Sequence, residues 1–349
     1  MTKQSIAVIG GDGTGPEVVA ESIKVLTAIS KRFSIDFVFE EFNFGARRYF
    51  ETGTVLTDED VNQLKSYNAM LLGAIGHPDA PPGLLERGIL LKLRFDLDQY
   101  INLRPVKLYP NVHSPIVGVS PDDIDYIVVR ENTGGLYVGR GGQVDKGTPN
   151  EIATQEMVYT YDQVHRCLTY AFELAQKRPR KKLTLCGKSN VLTYIFDLWD
   201  RVFNDLSNQY PDVQTDYVHV DAVCIYMIED PSRFDVIVTT NMFGDIITDL
   251  AATTQGGMGV APGANINPHG VSMFEPIGGT APLFTGLNQI NPLASIGSAA
   301  LMLAHLGFDE AAQCVEQAIR RTTPKMTSML AGKMGHSTQD IGDMVVDAL

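Results

Sequence analysis

Residues 5–19 read SIAVIGGDGTGPEVV: a short apolar run, a cluster of glycines, then the start of an amphipathic stretch. Glycine lets the backbone turn tightly, and Pro16 suits the first turn of a helix, where its missing N–H costs nothing. The stretch therefore predicts a strand, a turn and a helix. A dinucleotide fingerprint of the G-x-G-x-x-G type fails here, because Pro16 stands where the third glycine belongs after Gly11 and Gly13, and no other frame among Gly10, Gly11, Gly13 and Gly15 fits. Two readings of the turn stay open: a connection that positions the helix, or a ligand contact.

The same punctuation recurs. AMLLGAIG at 69–76, DYIVVREN at 125–132, LTLCGK at 183–188 and FDVIVTTN at 234–241 read as strands, separated by stretches with helical apolar spacing. Val191, Leu192, Ile195, Phe196, Trp199, Val202, Phe203 and Leu206 form one such stripe, which makes Trp199 a core residue rather than a cofactor-stacking group. Alternation of this kind predicts a parallel α/β sheet, and 349 residues predict two domains or one large unit. Pieces rich in Pro and Gly near 76–88, 139–150 and 255–282 read as loops of functional length.

Hydrophobic residues make up 44% and charged residues 20%, an ordinary globular composition. The net charge of −13 argues against nucleic acid or an anionic membrane as the main partner. The basic run KRPRKK at 177–182 reads as a solvated helix C-terminus. Cys167, Cys186, Cys224 and Cys314 lie far apart with no C-x-x-C, suggesting neither a zinc site nor a disulfide framework and fitting a reducing cytoplasm. No apolar run reads as a targeting or membrane-spanning segment.

Three constellations carry chemistry. Within LLERGILLKLRFDLDQYINLRP at 84–105 and VVREN at 128–132, Arg94, Arg104 and Arg130 can each clamp a carboxylate through two hydrogen bonds, or can serve as surface ion pairs. Leu90 and Leu91, four and three residues before Arg94, share its helical face as a pocket wall or as plain core. Asp245 and Asp249, at i and i+4 after a strand, share one helical face; with Asp221 they offer an all-oxygen set suited to Mg²⁺ or Mn²⁺, or simply complement a helix dipole. Lys188 follows a buried strand, where desolvation can bring a lysine into the range of a base, and Tyr137 in a glycine-rich loop can supply a proton; each also has an ordinary structural reading.

Taken together, GDGTGPEV at 11–18, LRFDLDQYINLRP at 93–105, RENTGGLY at 130–137, GKSNVL at 187–192, YVHVDA at 217–222, FDVIVTTNMFGDIITDLAA at 234–252, FEPIGGTAP at 274–282 and INP at 290–292 resemble the β-decarboxylating dehydrogenases of isopropylmalate, isocitrate, homoisocitrate and tartrate. The resemblance spans nearly the whole chain. It implies an isopropylmalate dehydrogenase-like two-domain α/β fold, with parallel and mixed sheets flanked by helices, rather than a Rossmann fold. Residues 1–100 plus 253–349 would form a cofactor-binding domain, and residues 101–252 a central substrate, metal and dimerisation domain, with the active site in the cleft between them.

The resemblance also implies a homodimer in which Lys188 and Asp221 reach into the partner's site, Mg²⁺ or Mn²⁺ on Asp245, Asp249 and Asp221 of the partner subunit, and NAD held by Ile75, Gly279, Thr280, Ala281 and Asn291. In the implied reaction the metal chelates a 2-hydroxy acid, Lys188 with Asp221 takes the hydroxyl proton, hydride goes to the nicotinamide, CO₂ leaves, and Tyr137 protonates the carbon. Arg94, Arg104 and Arg130 hold the carboxylates.

ERGILLKLR at 86–94 offers Leu90 and Leu91 to the substrate's side chain, favouring an isopropyl group, worth roughly 1–3 kcal/mol on burial, over an unpaired carboxylate. TGG at 133–135 points the same way. The expectation is therefore a 3-isopropylmalate substrate. The alternatives are a paralogue acting on tartrate, homoisocitrate or isocitrate, and a non-catalytic regulatory subunit. IGGTAPLFTGLNQINP at 277–292 departs from the isopropylmalate pattern: Gly278 replaces a histidine and Leu283 the aspartate that holds the adenosine ribose. No local cation replaces them to pair a 2′-phosphate, so NAD remains the expected cofactor.

Overall fold

The structure, a computed structural model, describes residues 3–349. Along the chain run β1 (Lys3–Gly11), α1 (Gly15–Phe33), β2 (Asp36–Glu41), α2 (Ala46–Thr52), α3 (Asp58–Leu64), β3 (Ala69–Ala74), α4 (Lys92–Asp96), β4 (Ile101–Lys107) and β5 (Asp125–Glu131). Then come the hairpin strands β6 (Gly141–Val144) and β7 (Ile152–Gln155), α5 (Tyr161–Lys177), β8 (Lys182–Gly187), α6 (Thr193–Ser207), β9 (Gln214–His219), α7 (Val220–Glu229), β10 (Val236–Thr239) and α8 (Asn241–Thr254). The chain closes with β11 (Pro262–Ile266), β12 (Ser272–Pro276), α9 (Leu293–His305), α10 (Asp309–Thr322) and α11 (Thr338–Asp347).

These elements divide into two compact units. The first comprises residues 1–99, 103–124 and 251–349, and the second 100–102 and 125–250. The segment 103–124 thus joins the unit built from both chain ends.

In the first unit the strand order is β2-β1-β3-β12-β11-β4. β1, β2, β3 and β12 pair in parallel, while β11 and β12 are antiparallel. A parallel sheet buries both faces, which explains why every residue of β3 is buried. The predicted strand, turn and helix at 5–19 are present, and neighbouring main chain braces the turn. Gly11 has φ +73°, and a Cβ there would lie 2.0 Å from the Ala74 carbonyl oxygen. The Thr14 N–H donates to the Thr280 carbonyl at 2.9 Å. Asp12, buried, accepts from the Ala46 N–H at 2.8 Å and the Gly76 N–H at 2.9 Å, tying together the start of α2 and the loop after β3.

In the second unit the order is β5-β10-β8-β9, all parallel. α5 packs on β5, β8 and β10, and α6 packs on α5. Trp199 is fully buried, edge-on to Tyr159 at 5.5 Å, as the stripe predicts. Truncating it to alanine would cost about 3–5 kcal/mol. Val191, at the head of the stripe, is instead exposed, because α6 begins two residues later.

The basic run begins at the exposed C-terminus of α5 with Lys177, as expected, but the cations after it are paired rather than solvated. Arg178 donates to Asp235 at 2.5 Å and to Asp125 at 2.9 Å, and Arg180 donates to the carbonyls of Ser232, Phe234 and Asp125. Lys181 pairs with Asp212 and Lys182 with Asp216. The run clasps the entrances of β5 and β10, where acidic residues and open carbonyls face it.

Candidate active site

The second unit assembles its chemistry at the ends of its strands. Arg130, near the end of β5, is 1% exposed. The Oδ1 of Asn241, the first residue of α8, accepts from its Nε at 3.0 Å and its Nη2 at 2.8 Å. That leaves Nη1 to donate to Asp245 Oδ1 at 2.5 Å. Gly244 makes this approach possible: a Cβ there would lie 2.4 Å from Arg130 Cγ. The Tyr137 hydroxyl donates to Asp245 Oδ2 at 2.7 Å, and its ring stacks on the Arg130 guanidinium with 5.2 Å to the centroid.

Burial first, and then the hydrogen bond to Asp245, push the Tyr137 hydroxyl above its usual range. A tyrosine so placed keeps its proton at neutral pH, as a proton donor must. Asp249 lies one turn on from Asp245, and both are exposed, so the predicted carboxylate pair shares a face of α8.

Lys188 follows β8 and donates through Nζ to Asp221 Oδ1 at 2.8 Å. This bond is the main reason the Asp221 carboxyl sits below its ordinary range. Two predicted residues separated by 33 positions are thereby joined.

The loop from β5 to Tyr137 is held by residues that sequence reasoning missed. Glu131, fully buried, accepts from the Thr133 N–H at 2.8 Å, the Thr133 hydroxyl at 2.9 Å and the Gly134 N–H at 2.8 Å. The Tyr159 hydroxyl accepts from the Asn241 N–H at 2.8 Å. Gly134 and Gly135 close on Tyr159, and a Cβ on either would come within 2.6 Å of it. The TGG run therefore also answers a packing demand of Tyr159. Glu131 lies within RENTGGLY and Asn241 within FDVIVTTN, but nothing in their spacing marks them as supports.

The first unit holds the other arginines. Arg94 is buried and donates to Glu275 Oε1 at 3.3 Å, which also accepts from Asn265 at 2.7 Å. Its Nε is buried with no acceptor, a donor left for an anion. Arg104 lies against Gly263, whose hypothetical Cβ would be 3.2 Å from the guanidinium. Gly263 is the register partner of Glu275 across β11 and β12, so the two arginines converge.

Leu90 and Leu91 depart from the α-helical expectation. Glu86–Leu91 forms a π-helical turn, with the Lys92 N–H bonded to the Arg87 carbonyl. The wider turn changes which residues share a face with Arg94. Leu90 packs against the unit's apolar core, and Leu91 is half-buried.

Of the residues expected to hold a dinucleotide, Gly279, Ala281 and Asn291 line a cavity of about 310 Å³ together with Thr14, Met258 and Ile290. Thr280 lines an adjoining depression with Gly13 and Gly76. Asn291 donates to the Met329 carbonyl at 3.1 Å and accepts from the Leu293 N–H at 3.0 Å, so its amide is engaged in starting α9. Ile75 packs its side chain into the apolar core, because the strand it extends is buried on both faces, which leaves its main chain to meet a ligand. At Gly278 a Cβ would meet only Met258, at 3.8 Å, and Leu283 is 88% exposed.

The sequence model described as isocitrate/isopropylmalate dehydrogenase matches residues 5–345. A 3-isopropylmalate dehydrogenase of Thermobifida fusca (strain YX) is 52% identical over 316 residues, covering 90% of this chain and 89% of the relative. One of Streptomyces coelicolor is 51% identical over 341 residues, covering 97% and 96%. Among solved structures, an isocitrate dehydrogenase from Methylococcus capsulatus superposes with a TM-score of 0.87 at 31% identity, covering 99% of both chains. The TT0538 protein from Thermus thermophilus superposes with a TM-score of 0.86 at 33% identity, over 99% of this chain and 68% of that one.

Proposed function

The chain belongs to the isocitrate/isopropylmalate dehydrogenase family, and from that membership we propose that it oxidatively decarboxylates 3-isopropylmalate to 4-methyl-2-oxopentanoate and CO₂, with reduction of NAD, in leucine biosynthesis. The observation that carries the chemistry is the set Arg130, Tyr137 and Asp245, wired together with Asp249 one turn away. The names of relatives about half identical to the chain carry the substrate.

Asp245 and Asp249 present oxygen donors on an exposed face and suit a hard divalent cation. Among the described residues of one chain, no three carboxylates, histidines or cysteines gather to hold a metal ion. Asp221, 66% exposed, is free to face a second copy of the chain, so that Asp221 of the partner subunit would complete the set, with substrate oxygens and water filling the remaining positions. When bound, Mg²⁺ or Mn²⁺ supplies Lewis acidity toward the substrate's C1 carboxylate and C2 oxygen, and NAD accepts the hydride.

The chain's own groups do the rest. Lys188, with Asp221 or a water, takes the proton of the C2 hydroxyl as that carbon becomes a ketone. Arg94, Arg104 and Arg130 hold the two carboxylates in place. The bond to the β-carboxylate breaks, its electrons pass into the enolate, and the Tyr137 hydroxyl returns a proton to the carbon left behind.

The unit built from both chain ends takes the cofactor role and contributes Arg94 and Arg104 to the substrate, and the other unit takes the metal and dimer role and contributes Arg130. Support for a homodimer is the apolar surface of the second unit: Val191, Tyr194, Ile225, Ile228 and Ile246 are 64, 92, 53, 41 and 56% exposed, and both strands of the β6–β7 hairpin are exposed throughout. Four free cysteines suit a reducing cytoplasm. Gly278 and Leu283 favour a second reading, a paralogue acting on tartrate, homoisocitrate or isocitrate.

Reduced-cofactor absorbance with Mg²⁺, over NAD and NADP against 3-isopropylmalate, isocitrate, homoisocitrate, tartrate and malate, tests both. Best turnover with NAD and 3-isopropylmalate is expected. Preference for another acid would replace the substrate, and no turnover on any of them would overturn the proposal.

A further inference from the structure

The segment 278–291 walls the 310 Å³ cavity through Gly278, Gly279, Ala281, Ile290 and Asn291, and a second depression of about 380 Å³ through Leu287, Asn288 and Gln289. Its backbone is unusual: Ala281, Gly286 and Asn288 have φ of +40°, +74° and +56°. Non-glycine residues in this region cost energy and persist only where the surroundings over-determine them.

One restraint comes from the first turn of α1. Glu17 is half-buried, and its carboxylate accepts the Gly286 N–H on Oε1 at 2.6 Å and the Asn288 N–H on Oε2 at 3.0 Å. The two left-handed residues turn their N–H groups toward one point, a concavity that suits an anion, and the carboxylate fills it. Being ionic, these bonds are stronger than neutral ones. The segment's other side is tied to the start of α11, where the Thr338 and Gln339 N–H groups bond Asn288 and the Thr338 hydroxyl bonds Ile290. Glu17 alone supplies charge to this lacing.

We propose that Glu17 is a positioning residue for dinucleotide binding: its carboxylate sets the conformation of 286–288 and through it the affinity of the segment for the cofactor, without touching the reacting atoms. The proposal rests on the dinucleotide reading of this segment. Glu17→Gln keeps the shape, removes the charge and leaves only one oxygen for two N–H donors.

The test compares the full-length protein with the Glu17→Gln variant in three measurements: hydrogen exchange at the Gly286 and Asn288 amides without cofactor, the equilibrium Kd of NADH by its fluorescence, and kcat and KM at saturating acid substrate. Expected are faster exchange at those two amides, a Kd and dinucleotide KM raised roughly ten-fold, as for one ionic hydrogen bond lost, and kcat within about two-fold of the parent. Unchanged exchange would overturn the latch itself. Faster exchange with an unchanged Kd would overturn the link to the cofactor. If the parent protein bound no NADH, the dinucleotide reading would fall and the proposal with it, a result distinguishable from the other two because it appears before any substitution.

Discussion

The surroundings of Asp245 and the segment 278–291 hold their working groups by different means. Around Asp245 the restraint is between side chains: Asn241 orients Arg130, Arg130 and Tyr137 converge on one carboxylate, and Gly244 makes room. In 278–291 the restraint falls on main-chain N–H and carbonyl groups, held from Thr14, Glu17 and Thr338. The first arrangement depends on which side chains are present. The second depends on backbone shape, in which neither the open position at Gly278 nor the exposed Leu283 side chain takes part.

If the comparison is right, losing a working side chain near the strand ends should be catastrophic for turnover and mild for folding. Lys188→Ala should lower kcat by about 10²–10⁴-fold, the usual span for a positioned general base, with little change in Tm, since its partner Asp221 is exposed. Steady-state rates and a melting curve check this. Unchanged turnover would remove Lys188 from the reaction.

Removing divalent metal with a chelator should abolish turnover reversibly and leave circular dichroism unchanged, because Arg130 and Tyr137 already satisfy Asp245. Unfolding on chelation would make the metal structural and blur the contrast.

A supporting residue should cost both quantities. Asn241→Ala strips Arg130 of its acceptor for Nε and Nη2, and a buried donor so abandoned costs about 1–3 kcal/mol. Lower stability with a substantial fall in kcat/KM is expected from denaturant titration and kinetics. Full activity would mean that Arg130 is oriented by something else.

The smallest effect sharpens the other side of the comparison. Ala281→Gly relieves a left-handed residue but frees the unfolded chain, so stability should rise by no more than about 1 kcal/mol, with the dinucleotide KM changed less than about three-fold. A large loss of affinity would show that the alanine methyl itself contacts the cofactor.

The strands, Trp199 in the core, the carboxylates sharing a face of α8 and the Lys188–Asp221 pair were legible because period and motif express them directly. Asn241, Glu131, Tyr159, Glu17 and Asp12 were not, since each works through hydrogen bonds to loops distant in sequence or to neighbouring main-chain groups. The basic run at 177–182 was legible only as a helix end, because charge alone cannot reveal that carboxylates and strand-entry carbonyls will face its later residues. The direction of the Ile75 side chain was not legible, because a residue next to glycines can point either into the core or toward solvent, and only the sheet decides which.

The π-turn at Glu86–Leu91 makes chain length a determinant of surface shape. Such a turn accommodates one residue more than an α-helical turn does, and Gly88 within it is already crowded, with Val55 2.9 Å from where a Cβ would sit. Deleting one residue there would let the run close as a regular helix, rotating the residues before the turn by about 100° against α4. The residues on the N-terminal side of the turn would then face elsewhere with no side chain exchanged. A three-nucleotide deletion is thus a route to an altered surface that a scan of single substitutions would never sample.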